Sequence, residues 1–155
     1  MAFTIEPIAR DEIKYLMEMI YELAEYEHLE DEFVGTEENF AYSLFEEQSA
    51  YALLAKLDGT PIGYAVYFKN FSTFFGKAGI YLEDLYIKPA YRGKGYGKAL
   101  FTHVGRIAKD NGYPRYEWSC LDWNEPSREF YRRMGAVRME DWTVHRLTGE
   151  ALEKL

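Results

Sequence analysis

Arg92-Gly93-Lys94-Gly95-Tyr96-Gly97-Lys98 sets three glycines at alternate positions between an apolar stretch ending at Ile87-Lys88-Pro89 and a helical periodicity beginning at Ala99-Leu100. Glycines so spaced let main-chain N–H groups converge, and the start of the following helix adds unpaired donors and a partial positive charge. The stretch predicts a seat for a phosphate or pyrophosphate. Two common phosphate motifs fail on spacing. A P-loop needs glycine where Arg92 stands and Ser or Thr where Ala99 stands. A dinucleotide fingerprint needs a third glycine at Lys98 or at Leu100, depending on which pair opens it. What remains is R-G-x-G-x-G between a strand and a helix.

Working outward, the chain alternates short strands and amphipathic helices. Phe3 to Pro7 reads as a strand, and Asp11 as the N-cap of a helix carrying Ile13, Leu16, Met17, Ile20, Leu23 and Ala24. Thr36 is expected to cap a second helix bearing Phe40, Leu44 and Phe45. Ala50 to Leu57 and Ile62 to Phe68 flank Asp58-Gly59, a hairpin signal. Asn70 to Lys77 is expected as a loop, Ala78 to Ile87 as a long strand, and Gly97 as the start of a helix stopping near Asn111-Gly112. Tyr116 to Leu121 reads as another strand, followed by a short helix with Pro126 in its first turn that ends at Gly135, and Trp142 to Leu147 as the last strand. The sum is an α/β (α+β) chain with a mixed sheet flanked by helices. No linker divides residues 1–155, so one domain is expected.

The 155 residues are 48% hydrophobic and 17% aromatic, enough for one sizeable core. No apolar run reaches transmembrane length and no leader pattern opens the chain, so a soluble cytoplasmic protein is expected. One cysteine, Cys120, and three scattered histidines give no metal-ligand spacing, so no metal is expected. A net charge of -8 argues against nucleic acid and favours a cationic substrate if the acid lies near the site. Acid is dense around the end of the first helix: Glu22, Glu25, Glu27, Glu30, Asp31, Glu32, Glu37 and Glu38.

The R-G-x-G-x-G turn and the order of elements resemble the acyl-coenzyme A binding fold of the GCN5-related N-acetyltransferases (GNAT). Three stretches resemble its spermidine/spermine and thialysine acetyltransferase branch: Leu23-Ala24-Glu25-Tyr26-Glu27, Tyr81-Leu82-Glu83-Asp84, and Trp123-Asn124-Glu125-Pro126-Ser127 running into Phe130-Tyr131. The resemblance covers almost the whole chain. It implies a mixed, mostly antiparallel sheet with a splayed or bulged strand near Glu83-Asp84, and acetyl-coenzyme A as co-substrate. It assigns amine deprotonation to Glu83, commonly through water, and the substrate cation to Asp84, and it places Glu27 at the amine pocket, where a second ammonium could be received. Tyr131 becomes the proton donor to the leaving thiolate. Main-chain groups of Leu85, Tyr86 and Ile87 would hold the pantetheine arm, with Asn124 and Ser127 beside it. The turn, Arg92 to Lys98 with Gly93, Lys94, Gly95, Tyr96 and Gly97 between them, would take the phosphates.

Chemistry supports this set. A primary amine is almost wholly protonated at neutral pH, so attack on a thioester needs a base. Neighbours in a regular strand point to opposite faces, so Glu83 and Asp84 serve one cavity only across an irregularity. The resemblance thus implies direct acetyl transfer to a small cationic amine, such as a polyamine, diamine or thialysine-like acceptor, by a homodimer with Trp142 to Leu147 as interface. Two other functions share the phosphate turn: a catalytically silent acyl-coenzyme A sensor, and an acetyltransferase acting on protein or peptide amines.

Overall fold

The hairpin at Asp58-Gly59 forms as its residues require. Both central residues have positive φ, 49° and 82°, the twist that joins antiparallel strands tightly. Asp58 also ties down the N-terminus, its Oδ1 accepting from the Ala2 amide at 2.8 Å. In this computed structural model, which describes residues 1–155, the chain forms two compact units, Met1–Ser119 and Cys120–Leu155.

The first unit carries a five-stranded sheet in sequential order: β1 (Phe3–Pro7), β2 (Tyr51–Leu57), β3 (Thr60–Ser72), β4 (Lys77–Ile87) and β5 (Tyr116–Trp118). The first four pair antiparallel, and β4 pairs β5 in parallel. Its main helices are α1 (Ile13–Tyr26) and α3 (Tyr96–Asp110), with the short α2 (Glu37–Ala41) running into a π-helical turn, Tyr42–Glu46. Alternate strand residues Ala52, Leu54, Tyr64 and Tyr86 pack with Leu16 and Met19 of α1 and with Leu44. Leu100, Phe101, Val104 and Ala108 make the buried stripe of α3. The second unit holds α4 (Glu125–Arg133) and α5 (Gly149–Glu153).

Several boundaries differ from the sequence reading. Asp11 does not cap α1; a 3₁₀ turn over Arg10–Glu12 precedes it, in which Glu12 accepts from the Ala9 amide at 2.9 Å. Met19 rather than Met17 fills the core. Thr36 does cap α2, its side chain accepting from the Asn39 amide. The expected loop from Asn70 shrinks to the turn after Ser72, because Asn70 and Phe71 find ladder partners in Gly79 and Ala78. The strand expected to reach Leu121 ends at Trp118, which leaves Cys120 outside it. Residues 142–147 form no strand. Trp142 and Val144 suit a pleated surface, but a strand exists only where another strand accepts its hydrogen bonds, and none pairs here.

Candidate active site

The decisive irregularity lies in β4. Asp84 pairs Val66 and Leu82 pairs Tyr67, so Glu83 is an extra residue with no partner of its own on β3. A bulge of this kind breaks the alternation of neighbouring side chains and re-aims them. Glu83 is exposed and Asp84 part-buried. Burial is the main cause that lifts the Asp84 carboxyl to about 6, and the Glu83 charge lifts it further. One hydrogen bond opposes the rise: the Tyr64 hydroxyl donates to Asp84 Oδ2 at 2.9 Å.

Asp84 shares the face of β4 that meets α1, since it follows the parity of Tyr86, which packs in the α1 core. Glu27, the C-cap of α1, is raised above the usual carboxylate range by burial and then by the Asp84 charge. No lysine or arginine figures among the groups acting on either carboxylate. The contrast with Glu22, one turn earlier, is sharp. Glu22 accepts from Tyr86 Oη at 2.8 Å and from Lys88 Nζ at 2.8 Å. That bond, after burial, pushes the Tyr86 phenol up to about 12. Glu22 is satisfied within the protein; Asp84 and Glu27 present negative charge with no internal cation.

The same point in β4 is where the sheet opens. β5 pairs only Ile80, Leu82 and the residue between them, so from the bulge to Ile87 the strand is paired on its β3 side alone. Leu85, Tyr86 and Ile87 therefore run along a free main-chain edge on the other side. The Ile87 carbonyl accepts from Arg92 Nε at 2.7 Å. The Arg92 guanidinium also lies over the rings of Tyr26 and Tyr86, at 5.8 and 5.4 Å. Arg92 thus ties the glycine turn to α1 and β4, a task the phosphate assignment does not include.

Gly93 and Gly95 have φ of 78° and 86°, a region where side chains are strained, and a Cβ at either would meet nothing within 4 Å. The space over the turn is open. Gly95 is the N-cap of α3 and has no side-chain cap; its carbonyl accepts from Ala99, so the amides of Tyr96, Gly97 and Lys98 have no intrahelical acceptor. Tyr96 is anchored by stacking on Phe3 at 4.6 Å. Lys94 and Lys98 are exposed beside the turn.

In the second unit, Asn124 Oδ1 accepts from the Ser127 amide at 3.4 Å and so caps α4, with Pro126 in the first turn. Tyr131 sits on α4 with its ring edge-on to Phe130 at 5.5 Å. The structure thus brings Glu27, Glu83, Asp84 and the main chain of Leu85 to Ile87 together with the glycine turn in the first unit. Asn124, Ser127 and Tyr131 are grouped on one short helix in the other. Sequence reading missed Tyr64, and it gave Tyr86 only a main-chain role. The one available signal was a tyrosine inside an otherwise apolar strand run, Ile62 to Val66.

A strand that bulges at paired carboxylates, loses one neighbour and enters a glycine turn capped by an open helix start is the arrangement expected of an acyl-coenzyme A site. The model of the Acetyltransferase (GNAT) family matches residues 15–136. The chain belongs to the GNAT acetyltransferase family. This GNAT chain is 36% identical over 152 residues to the thialysine N-epsilon-acetyltransferase of Bos taurus, covering 90% of this chain and 89% of the relative. It is 28% identical to the L-ornithine N5-acetyltransferase of Arabidopsis thaliana, covering 93% and 83%. A solved integron cassette protein from V. cholerae superposes with a TM-score of 0.81 at 24% identity, covering 99% and 97%, which establishes the shared fold. The spermidine/spermine and thialysine branch is thereby the right one, and the chain is a GNAT acyltransferase acting on amines. GNAT acetyltransferases use acetyl-coenzyme A as co-substrate. No helix is long and apolar enough to cross a membrane.

Proposed function

We propose that this enzyme transfers the acetyl group of acetyl-coenzyme A directly to a primary amine of a small cationic substrate, a polyamine, diamine or thialysine-like acceptor. The observation that carries this is the uncompensated pair Asp84 and Glu27 beside the Glu83 bulge, two part-buried carboxylates with no internal cation. A buried charge is costly unless paired, and a substrate ammonium supplies the missing partner. The names of the thialysine and ornithine acetyltransferase relatives favour the same class.

The pyrophosphate sits on the amides from Gly93 to Lys98, where the start of α3 and the exposed Lys94 and Lys98 favour negative charge. The pantetheine arm pairs with the open edge of β4 at Leu85, Tyr86 and Ile87, as an added strand would. This lays the thioester next to the bulge. One ammonium is held by Asp84 and Glu27, while Glu83, exposed to solvent, takes a proton from the reacting nitrogen through water. The neutral nitrogen attacks the carbonyl, whose oxygen is stabilised by main-chain N–H groups, and the tetrahedral intermediate expels the thiolate. On the resemblance alone, Tyr131 returns a proton to the sulfur, and Asn124 and Ser127 flank the coenzyme arm. On the same basis the chain acts as one domain over 1–155, in the cytoplasm, as a homodimer joined around 142–147.

The test is free-thiol release from acetyl-coenzyme A with thialysine, ornithine, spermidine, tyramine and a lysine peptide as acceptors. Small diamines and basic amino acids should be the best acceptors. Turnover of the peptide alone would assign the enzyme to protein acetylation, and coenzyme binding without thiol release from any acceptor would make it a sensor.

A further inference from the structure

Tyr64 is 0% exposed, in the core between β3 and α1, with its ring centroid 6.1 Å from that of Tyr86. Phenylalanine would fill the same volume without a polar atom to satisfy, and a buried hydroxyl needs a partner. The partner is Asp84 Oδ2 at 2.9 Å. In the ladder Tyr64 faces Tyr86 and Val66 faces Asp84, so Tyr64 and Asp84 are diagonal neighbours on one face. A diagonal span of about 7–8 Å between strand positions is crossed by an aromatic side chain and by few others.

We propose that Tyr64 is a positioning residue for the amine site: its buried hydroxyl holds one oxygen of Asp84, fixing the carboxylate so that the other oxygen faces the substrate ammonium. This role rests on Asp84 being the cation anchor. The groups acting on Asp84 are Glu83 on its own strand, Tyr64 on β3 and Glu27 at the end of α1, and only the Tyr64 hydroxyl favours the ionised form. Tyr64 in turn is held as the neutral phenol, pushed well above its ordinary range by burial and then by the Asp84 charge. It therefore acts as a permanent donor. Removing it leaves Asp84 with no donor and a stronger tendency to keep its proton.

The test compares wild type, Tyr64→Phe and Asp84→Asn by calorimetric titration with the best acceptor of the panel, at saturating coenzyme A, from pH 5 to 8. The side-chain ammonium of the acceptor stays protonated over that range, so a midpoint below about pH 7 belongs to the protein. Tyr64→Phe should bind the amine about tenfold more weakly at neutral pH, as loss of a hydrogen bond to a charged group implies. Its affinity midpoint should move up by about half a unit to one unit, with coenzyme A affinity and thermal midpoint close to wild type. Asp84→Asn should bind weakly at every pH with no midpoint. Wild-type amine affinity and an unmoved midpoint in Tyr64→Phe, alongside loss in Asp84→Asn, would overturn the positioning role alone. Wild-type affinity in Asp84→Asn would overturn the anchor itself. Should Tyr64→Phe fail to fold, site-specific 3-fluorotyrosine at position 64, a stronger donor, should shift the midpoint down; an unmoved midpoint would overturn the role.

Discussion

Asp84 is ionised at neutral pH against the preference of its surroundings. Its carboxyl is raised to about 6 from an ordinary 3.8, so the folded protein holds that proton more tightly than the unfolded chain does. The sign follows: this contribution to stability is complete below about pH 4 and is lost as pH rises through 6, amounting to up to about 3 kcal/mol by neutrality. Asp84→Asn, which keeps the shape and still accepts from Tyr64, should therefore be more stable than wild type at pH 7.5. The gain should vanish near pH 4, as urea unfolding midpoints at the two values will show. The anchor role proposed for this residue thus carries a cost in stability. Glu83 carries a separate prediction: Glu83→Gln keeps the bulge but removes the proposed base, and should lower the turnover number about 10²-fold or more with little change in coenzyme affinity. Stopped-flow single turnovers across pH measure it, and wild-type rates would remove Glu83 from proton transfer. Both carboxylates stand out in the sequence as Tyr-Leu-Glu-Asp. Tyr64 does not, because its value to the site lies in a diagonal contact between strands.

At the scale of elements, β4 and the turn after it hold the candidate site. The strand is regular to Leu82, bulged at Glu83, single-edged to Ile87 and then committed to the glycine turn. α1 is fastened to this run along one face: Glu18, Glu22 and Tyr26, at four-residue spacing, meet Lys88, Tyr86 and Arg92. The fastening holds Glu27, at the end of the helix, near Asp84 of β4. In the turn, Gly95 has φ of 86° and an open space above it. Gly95→Val should strain that backbone by about 1–3 kcal/mol and put bulk in the proposed phosphate seat. Calorimetry should show coenzyme A affinity down by at least about tenfold. The turn was legible from spacing alone, since glycine takes these angles with the least strain. The ends of β5 and the strand expected at 142–147 were not, because strand pairing is decided by residues far away in sequence.

Over the whole molecule, a net charge of -8 and the acidic residues near the end of α1 favour the approach of a cationic acceptor to the proposed amine pocket. Long-range attraction of this sort is screened by salt, whereas the part-buried pair at Asp84 and Glu27 is screened much less. The KM for a diamine acceptor should therefore rise several-fold, by about three to ten times, between 20 and 300 mM salt, with the turnover number nearly constant. A flat KM would assign recognition to the local pair alone. The sequence by itself determined the alternation of elements and the glycine turn, because periodicity and glycine conformation are local properties of the chain, and its resemblance to the family singled out Glu83-Asp84. Only the tertiary structure decided which carboxylates meet, which one Lys88 neutralises and which one Tyr64 holds. Those outcomes depend on strand register, and a single extra residue in β4 sets it.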